Sequence, residues 1–277
     1  MSKPVEKNQG LSLCDPVWER VRTEAEEMAA GEPILASFLY STILNHRNLN
    51  DAVAYHLAQK LGNTEVHSMQ LRELFDEALT EASDIGESTR ADIVAYYDRD
   101  PACHSYIQPL LYFKGFHALQ AYRVAHWLWN KGRRAMALYL QSRISELFAV
   151  DIHPAARLGR GIFIDHATGI VIGETAVVED DVSMLHDVTL GGTGKETGDR
   201  HPKVRRGVLI SVGSKVLGNI EIGEYSRIGA GSVVLHEVPP HCTAVGVPAK
   251  IVGCAGCDKP SHSMDHMIRD EEGPISD

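Results

Sequence analysis

The sequence predicts an α+β fold, with an N-terminal α-helical domain over residues 1–148 and a parallel β-helix of hexapeptide repeats over 149–253. Three observations predict it. Apolar residues recur every three or four positions before Phe148, an aliphatic residue recurs every six from Ile152, and neither pattern continues into the charged segment 254–277, which reads as a mobile tail.

In the first part, Asp15-Pro16 reads as an N-cap followed by proline at the first helical position, and Gly31 closes that helix. Helical stretches follow near 33–45, 49–61, 66–82 and 88–98, bounded by Gly, Asn, Ser or Pro. The longest runs from Pro109 to Gly132 and places Leu111, Gly115, Ala118, Tyr122, Ala125 and Trp129 on one face. His117 and His126 on this helix read as packing residues.

From Ile152 the period becomes six. Ile152, Leu158 and Ile164 lead to Ile172, Val178, Met184 and Leu190, then to Val204, Ile210, Val216, Ile222, Ile228 and Val234. One short strand and one corner per hexapeptide explains the pattern, and three such units close one coil. A single repeat cannot bury its own apolar side chain, so the coils must stack. The register slips twice. Ile164 and Ile172 stand two residues too far apart, and Gly191–Lys203 (GGTGKETGDRHPK) separates Leu190 from Val204. The second slip reads as a pliable loop folding over a site, with Arg200-His201 at its far end.

Net charge is −10 and the basic residues form no stripe, which argues against a nucleic-acid partner. The polar start MSKPVEKNQG lacks a secretory h-region and no stretch is long and apolar enough for a membrane span, so the chain reads as cytoplasmic. Five cysteines, Cys14, Cys103, Cys242, Cys254 and Cys257, follow no framework spacing and are expected to be reduced thiols. Cys254-x-x-Cys257 alone makes a poor metal or redox motif, and no metal ligand set is expected.

The solenoid carries polar residues that packing does not require: Asp151, His153, Asp165, His166, His186 and Asp187. Histidine beside a carboxylate is the usual general base near neutral pH. Adjacent Asp-His pairs are common, and a surface-corner histidine explains this one equally well. GxGxxG and GxxxxGK[ST] loops are both absent, which favours a substrate that arrives already activated, such as a thioester.

The segments DIHPAARLGRGIFIDHATGIVIGETAVVEDDVS, VTLGGTGKETGDRHPKVRRGV and IGAGSVVLHEVPPHCTAVGVPAKIVG resemble serine O-acetyltransferases. So does RDPACHSYIQPLLYFKGFHALQAYRVAHWLWNKGRR, in the helical part, which is particular to the serine enzymes among hexapeptide acyltransferases. The resemblance implies a left-handed parallel β-helix, against the usual crossover hand. It implies transfer of acetyl from acetyl-CoA, a co-substrate rather than a tightly bound cofactor, to the L-serine hydroxyl, giving O-acetylserine for cysteine biosynthesis.

By the same resemblance His166 is the general base and Asp151 orients it. Asp100 and Asp165 receive the substrate amino group, and Arg200 with His201 hold its carboxylate. Without the family pattern, Asp100 reads as a helix-terminal acid before Pro101. Gly192, Thr193, Val212, Ala230 and Lys250 line the coenzyme groove between neighbouring solenoids. The assembly implied is a homotrimer or a hexamer built as a dimer of trimers. L-cysteine is implied as feedback inhibitor and O-acetylserine sulfhydrylase as a partner through a C-terminal isoleucine. Here Ile275 is followed by Ser276-Asp277, which departs from that pattern. A sugar O-acetyltransferase and a zinc hydratase using His153, His166 and His186 are the competing readings of the repeat, and a non-catalytic scaffold for the sulfhydrylase is a third.

Overall fold

The computed structural model describes residues 15–194, 197–254 and 258–266. Eight helices precede the first strand: α1 (Pro16–Gly31), α2 (Pro33–Leu39), α3 (Leu49–Leu61), α4 (Ser68–Glu81), α5 (Ser83–Arg99), α6 (Ile107–Tyr112), α7 (Lys114–Asn130) and α8 (Arg134–Phe148). A π-helical turn, Tyr40–Leu44, continues α2. Asp15 caps α1 by accepting the Trp18 N–H at 3.2 Å, and Pro16 and Gly31 bound it as the sequence indicates.

The single long helix expected from Pro109 to Gly132 is instead two, broken at Phe113, whose backbone is extended (φ −91°, ψ 109°). The break lets the start of α7 press onto the solenoid. Gly115 lies so close to the Ile164 carbonyl that any Cβ there would collide with it. The stretch expected at 88–98 is part of the longer α5, which begins at Ser83.

The solenoid follows in coils of three short strands. The first coil is β1 (Val150–Ile152), β2 (Arg157–Leu158) and β3 (Phe163–Ile164), and the second β4 (Ile170–Ile172), β5 (Val177–Val178) and β6 (Ser183–Met184). The third is β7 (Thr189–Gly191), β8 (Lys203–Val204) and β9 (Leu209–Ile210), and the fourth β10 (Lys215–Leu217), β11 (Glu221–Ile222) and β12 (Arg227–Ile228). A last strand, β13 (Val233–Val234), precedes an antiparallel hairpin, β14 (Thr243–Gly246) and β15 (Ala249–Gly253), that closes the end.

Stacking gives three parallel sheets: face A is β1-β4-β7-β10-β13, face B is β2-β5-β8-β11, and face C is β3-β6-β9-β12-β14 with β15. The sixth-position residues stack in register inside. On face A, Ile152, Ile172, Leu190, Val216 and Val234 oppose one another in turn. All thirteen lie in strands, and all but Leu158 are buried. The hydrophobic column removes each apolar side chain from water only because the next coil covers it.

Polar groups of the helices lock onto the first coil. Asp92 of α5 is fully buried; its Oδ2 accepts from Gln120 Nε2 (2.8 Å) and Arg123 Nη2 (2.7 Å), and its Oδ1 from the Ile162 N–H (3.0 Å). Arg123 Nη2 also donates to the Gly159 carbonyl at 2.8 Å. A buried charge pair held this fully is tolerable, whereas removing either partner strands the other. Beside it the buried Tyr96 hydroxyl donates to the Ile164 carbonyl at 2.9 Å and accepts the Ile164 N–H at 3.3 Å.

One expectation fails near the C-terminus. Cys242 and Cys254 form a disulfide across the base of the closing hairpin, where reduced thiols were expected. Sequence spacing gave no hint because the hairpin, not a repeat, brings them together. Cys103 is free and buried, and burial pushes its thiol pKa up to about 11. Cys14 and Cys257 lie outside the described residues. Residues 258–266, within the segment read as a tail, lie against face C and α5. Their helical turn α9 (Pro260–Ser263) buries Pro260 and Ser261. Ser183 Oγ donates to the Ser261 carbonyl at 2.8 Å, and Ser211 Oγ pairs with His266 Nδ1 at 3.0 Å. The small serines of face C leave backbone and hydroxyl groups for a polar segment to satisfy.

Candidate active site

The corner between faces C and A carries the first group of candidates. Between β3 and β4 it holds the two extra residues of the first slip, and it absorbs them by placing His166 (φ 54°) and Ala167 (φ 62°) in the left-handed region. Such backbone costs about 1–3 kcal/mol per residue and persists where neighbours fix it. Here they do: the Asp165 N–H donates to the Met184 carbonyl (2.8 Å), the Asp187 N–H to the Thr168 carbonyl (2.7 Å), and Lys114 Nζ bonds Thr168 Oγ1. The turn thus presents His166 outward, its side chain 74% exposed, with Nε2 3.7 Å from Asp165 Oδ1.

His166 and Asp165 share a cleft of about 340 Å³ with Asp100, Tyr96, Lys114 and Gly115. Asp100 ends α5, and its Oδ1 accepts the Ala102 N–H at 2.8 Å, so the helix-terminal reading is structurally correct while the side chain still lines the cleft. Burial raises the Asp165 carboxyl above the ordinary range and the Asp100 charge adds to this, against the lowering effect of His166. Two carboxylates facing one cleft favour a cation.

Arg200 and His201 are not in this cleft. They return along the 197–203 side of the loop to the corner between faces A and B, where they dock on Glu174 and Thr175 after β4. Arg200 Nη2 donates to Glu174 Oε2 at 2.7 Å, and Thr175 Oγ1 accepts the N–H groups of Arg200 (3.0 Å) and His201 (3.1 Å). The Thr175 N–H donates to His201 Nδ1 at 3.2 Å, which leaves the ring hydrogen on Nε2. The Cδ2–Nε2 edge of the ring lies against Gly173, where any Cβ would collide with it. Burial, then the Arg200 charge, lowers the His201 pKa. Within one chain, the three residues of β4, about 10 Å of strand, and their flanking turns separate this corner from His166.

The coenzyme-groove candidates divide the same way. Val212 and Ala230 stack on the C-to-A corner, joined as the Gly231 N–H donates to the Val212 carbonyl at 2.8 Å. Gly192 and Thr193 open the loop at the other edge, beside Arg200 and Gly218. Lys250 is exposed on β15, paired with Val245. Asp151, half-buried on the outer side of β1, accepts from Gln141 Nε2 of α8 at 2.7 Å, and no hydrogen bond among the described residues joins it to His166. His153 stands at the A-to-B edge against Trp129, apart from His166 and His186. Among the described residues no group of three or more His, Cys, Asp or Glu is placed to hold a metal ion. His117 and His126, read as packing residues, bond to the carbonyls of Leu110 (2.8 Å) and Pro154 (2.7 Å). Sequence reasoning missed Tyr96, Lys114, Gln141, Glu174 and Thr175, whose only signal is proximity in space.

Comparison with known proteins decides the family. The model for the serine acetyltransferase N-terminal region matches residues 17–121, and that for the bacterial transferase hexapeptide matches 201–236. A serine acetyltransferase of Salmonella typhimurium is 59% identical over 90% of this chain and 91% of its own. The chain belongs to the serine acetyltransferase family. As a member it is an acyltransferase. Among solved serine acetyltransferases, one from Brucella abortus in complex with coenzyme A superposes with a TM-score of 0.87 at 56% identity, covering 90% of this chain and 99% of its own. Another, in complex with cysteine, has a TM-score of 0.90 at 55% identity and covers 91% and 98%. No helix among the described residues is long and apolar enough to cross a membrane.

Proposed function

We propose that this chain transfers the acetyl group of acetyl-CoA to the hydroxyl of L-serine, with His166 as general base. The observation that carries the reading is the cleft that gathers Asp100, Asp165 and His166 at one corner of a serine acetyltransferase solenoid. His166 takes the proton from serine Oγ as Oγ bonds to the thioester carbonyl carbon. The C–S bond then breaks, the electron pair passes to sulfur, and the proton returns from His166 to give the free thiol and O-acetylserine. Asp151 orients the imidazole once it turns toward the acceptor. Support for this is its place on β1, whose preceding Ala149 carbonyl accepts the Gly169 N–H of the His166 turn at 2.8 Å.

Asp100 and Asp165 bind the ammonium group, and Arg200 binds the carboxylate, exchanging Glu174 for it, with His201 Nε2–H beside it. Because the two groups stand on opposite edges of face A, the site forms where the C-to-A edge of one chain meets the A-to-B edge of a neighbour. A trimer does this with one interface repeated three times; the helical parts pair trimers into a hexamer. Val212, Ala230 and Lys250 of one chain and Gly192 and Thr193 of the next then flank acetyl-CoA. L-cysteine, with the same two charged ends as serine, competes for the site and acts as feedback inhibitor; the relative solved with cysteine supports this. The O-acetylserine sulfhydrylase partnership rests on Ile275, outside the described residues. The enzyme works in the cytoplasm, where acetyl-CoA is supplied.

The test is thiol release from acetyl-CoA with a panel of acceptors. Release is expected with L-serine and not with amino sugars, and the reverse result would overturn the assignment. The raised Asp165 pKa adds a pH dependence. Binding an ammonium group needs ionised Asp165, so serine KM is expected to rise as pH falls, beginning above the pH at which an ordinary aspartate protonates, about 3.9. A KM–pH profile of wild type beside Asp165→Asn checks this, since the variant should have a higher KM without that inflection.

A further inference from the structure

We infer that His186 is a further catalytic residue, one whose imidazole donates a hydrogen bond to the coenzyme sulfur as the thioester is cleaved. The inference rests on the acetyl-transfer reading above and extends it to the leaving group.

Strand register supplies the first argument. Ile164, Met184, Ile210 and Ile228 oppose one another on face C, and two residues beyond each stand His166, His186, Val212 and Ala230. Above His186 the stack is continuous, the Gly213 N–H donating to the His186 carbonyl at 3.0 Å and the Gly231 N–H to the Val212 carbonyl at 2.8 Å; below it the slip intervenes, the Asp187 N–H donating to the Thr168 carbonyl at 2.7 Å. His186, Val212 and Ala230 thus form one column up the C-to-A corner, in steps of about 4.8 Å, and the His166 ring stands below it across the slip. His166 is the base and the upper two rungs are the coenzyme wall. A pantetheine arm that runs past Ala230 and Val212 to deliver its carbonyl carbon at His166 must cross the His186 rung, and its sulfur is one bond from that carbon.

The ring itself supplies the second. Its centroid is 5.7 Å from that of His166, nearly perpendicular at 80°. Nδ1 is buried with no hydrogen-bond partner. A buried N–H without an acceptor is rarer than a bare lone pair, so the hydrogen sits on Nε2, the nitrogen left to meet a ligand. Asp165 feels both imidazoles, which places His186 in the electrostatic field of the cleft.

During the reaction Oγ–C bond formation and proton transfer to His166 proceed as above. When the C–S bond breaks, charge develops on sulfur, and His186 Nε2–H stabilises it until His166 returns the proton. His186 ends as it began, and no further reactant is needed. A fixed donor aimed at charge that develops only in the transition state lowers the barrier, not the ground state.

The test uses the full-length protein with His186→Phe, which keeps a ring against His166 and removes the donor, and His186→Gln, which restores an N–H. The Phe variant is expected to lose about 10²-fold in kcat, with serine KM and melting temperature unchanged, and the Gln variant to recover part of the loss. Calorimetry is expected to show that wild type binds coenzyme A more tightly than desulfo-coenzyme A and that the Phe variant has lost this preference. Wild-type kcat in the Phe variant, or an intact preference for the thiol, would overturn the assignment while leaving His166 as base. If wild type releases no thiol with L-serine, both readings fall together.

Discussion

Replacing His166 with alanine is expected to lower kcat for acetyl transfer to L-serine by about 10²–10⁴, the usual cost of losing a general base. The fold should survive, because the ring is 74% exposed and the turn that carries it is held by backbone bonds from Asp165 and Asp187. A melting temperature equal to that of wild type would therefore accompany the loss. Serine KM should change little, since the ammonium contacts belong to Asp100 and Asp165, whereas Asp165→Asn should raise KM more than it lowers kcat. Thiol-release kinetics on the two variants separate these roles. If His166→Ala turns over at the wild-type rate, the base lies elsewhere and the exposed corner histidine is only a surface residue.

The solenoid was legible because its cause is local. A side chain that must be buried every sixth residue leaves an aliphatic there whatever the rest of the sequence does, and all thirteen positions lie in strands. The two slips were legible for the same reason, as failures of that period. What the period does not record is which corners stand over one another or which edge meets another chain. Asp165-His166 and Arg200-His201 both lie at slips, yet one slip is at the C-to-A corner and the other at the A-to-B corner. Partners drawn from the helical layer were equally hidden: nothing in the 4-3-4 spacing around Gly115 shows that a carbonyl from β3 blocks a Cβ there, or that the helix breaks at Phe113. The Gln141–Asp151 and Glu174–Arg200 pairings join elements whose spacing in sequence has no periodic meaning. Both engage residues to which the family resemblance gives a role in the proposed reaction, and on that proposal Arg200 exchanges Glu174 for the substrate carboxylate.

That separation of edges makes the second large effect. Arg200→Ala should be nearly inactive, because its partner Glu174 would then stand unneutralised where the substrate carboxylate must bind. Its stability should hold, since a partly exposed pair of this kind is worth little. Co-expression of Arg200→Ala with His166→Ala is nonetheless expected to restore roughly one quarter of wild-type activity. In a mixed ring of three, one of the three interfaces joins an intact His166 edge to an intact Arg200 edge, and random mixing makes about three quarters of the rings mixed. Of the other two interfaces in such a ring, one lacks both groups and the other lacks one of them. Giving the two variants different affinity tags and assaying after tandem capture restricts the measurement to assemblies that hold both variants, and activity should stay near one quarter of wild type, since pairing of trimers lets an unmixed ring accompany another. Were both groups to serve one chain's own site, every site in the mixture would lack one of them. The captured mixture would then be as inactive as either parent, and the assignment of the site to two edges of neighbouring chains would fail.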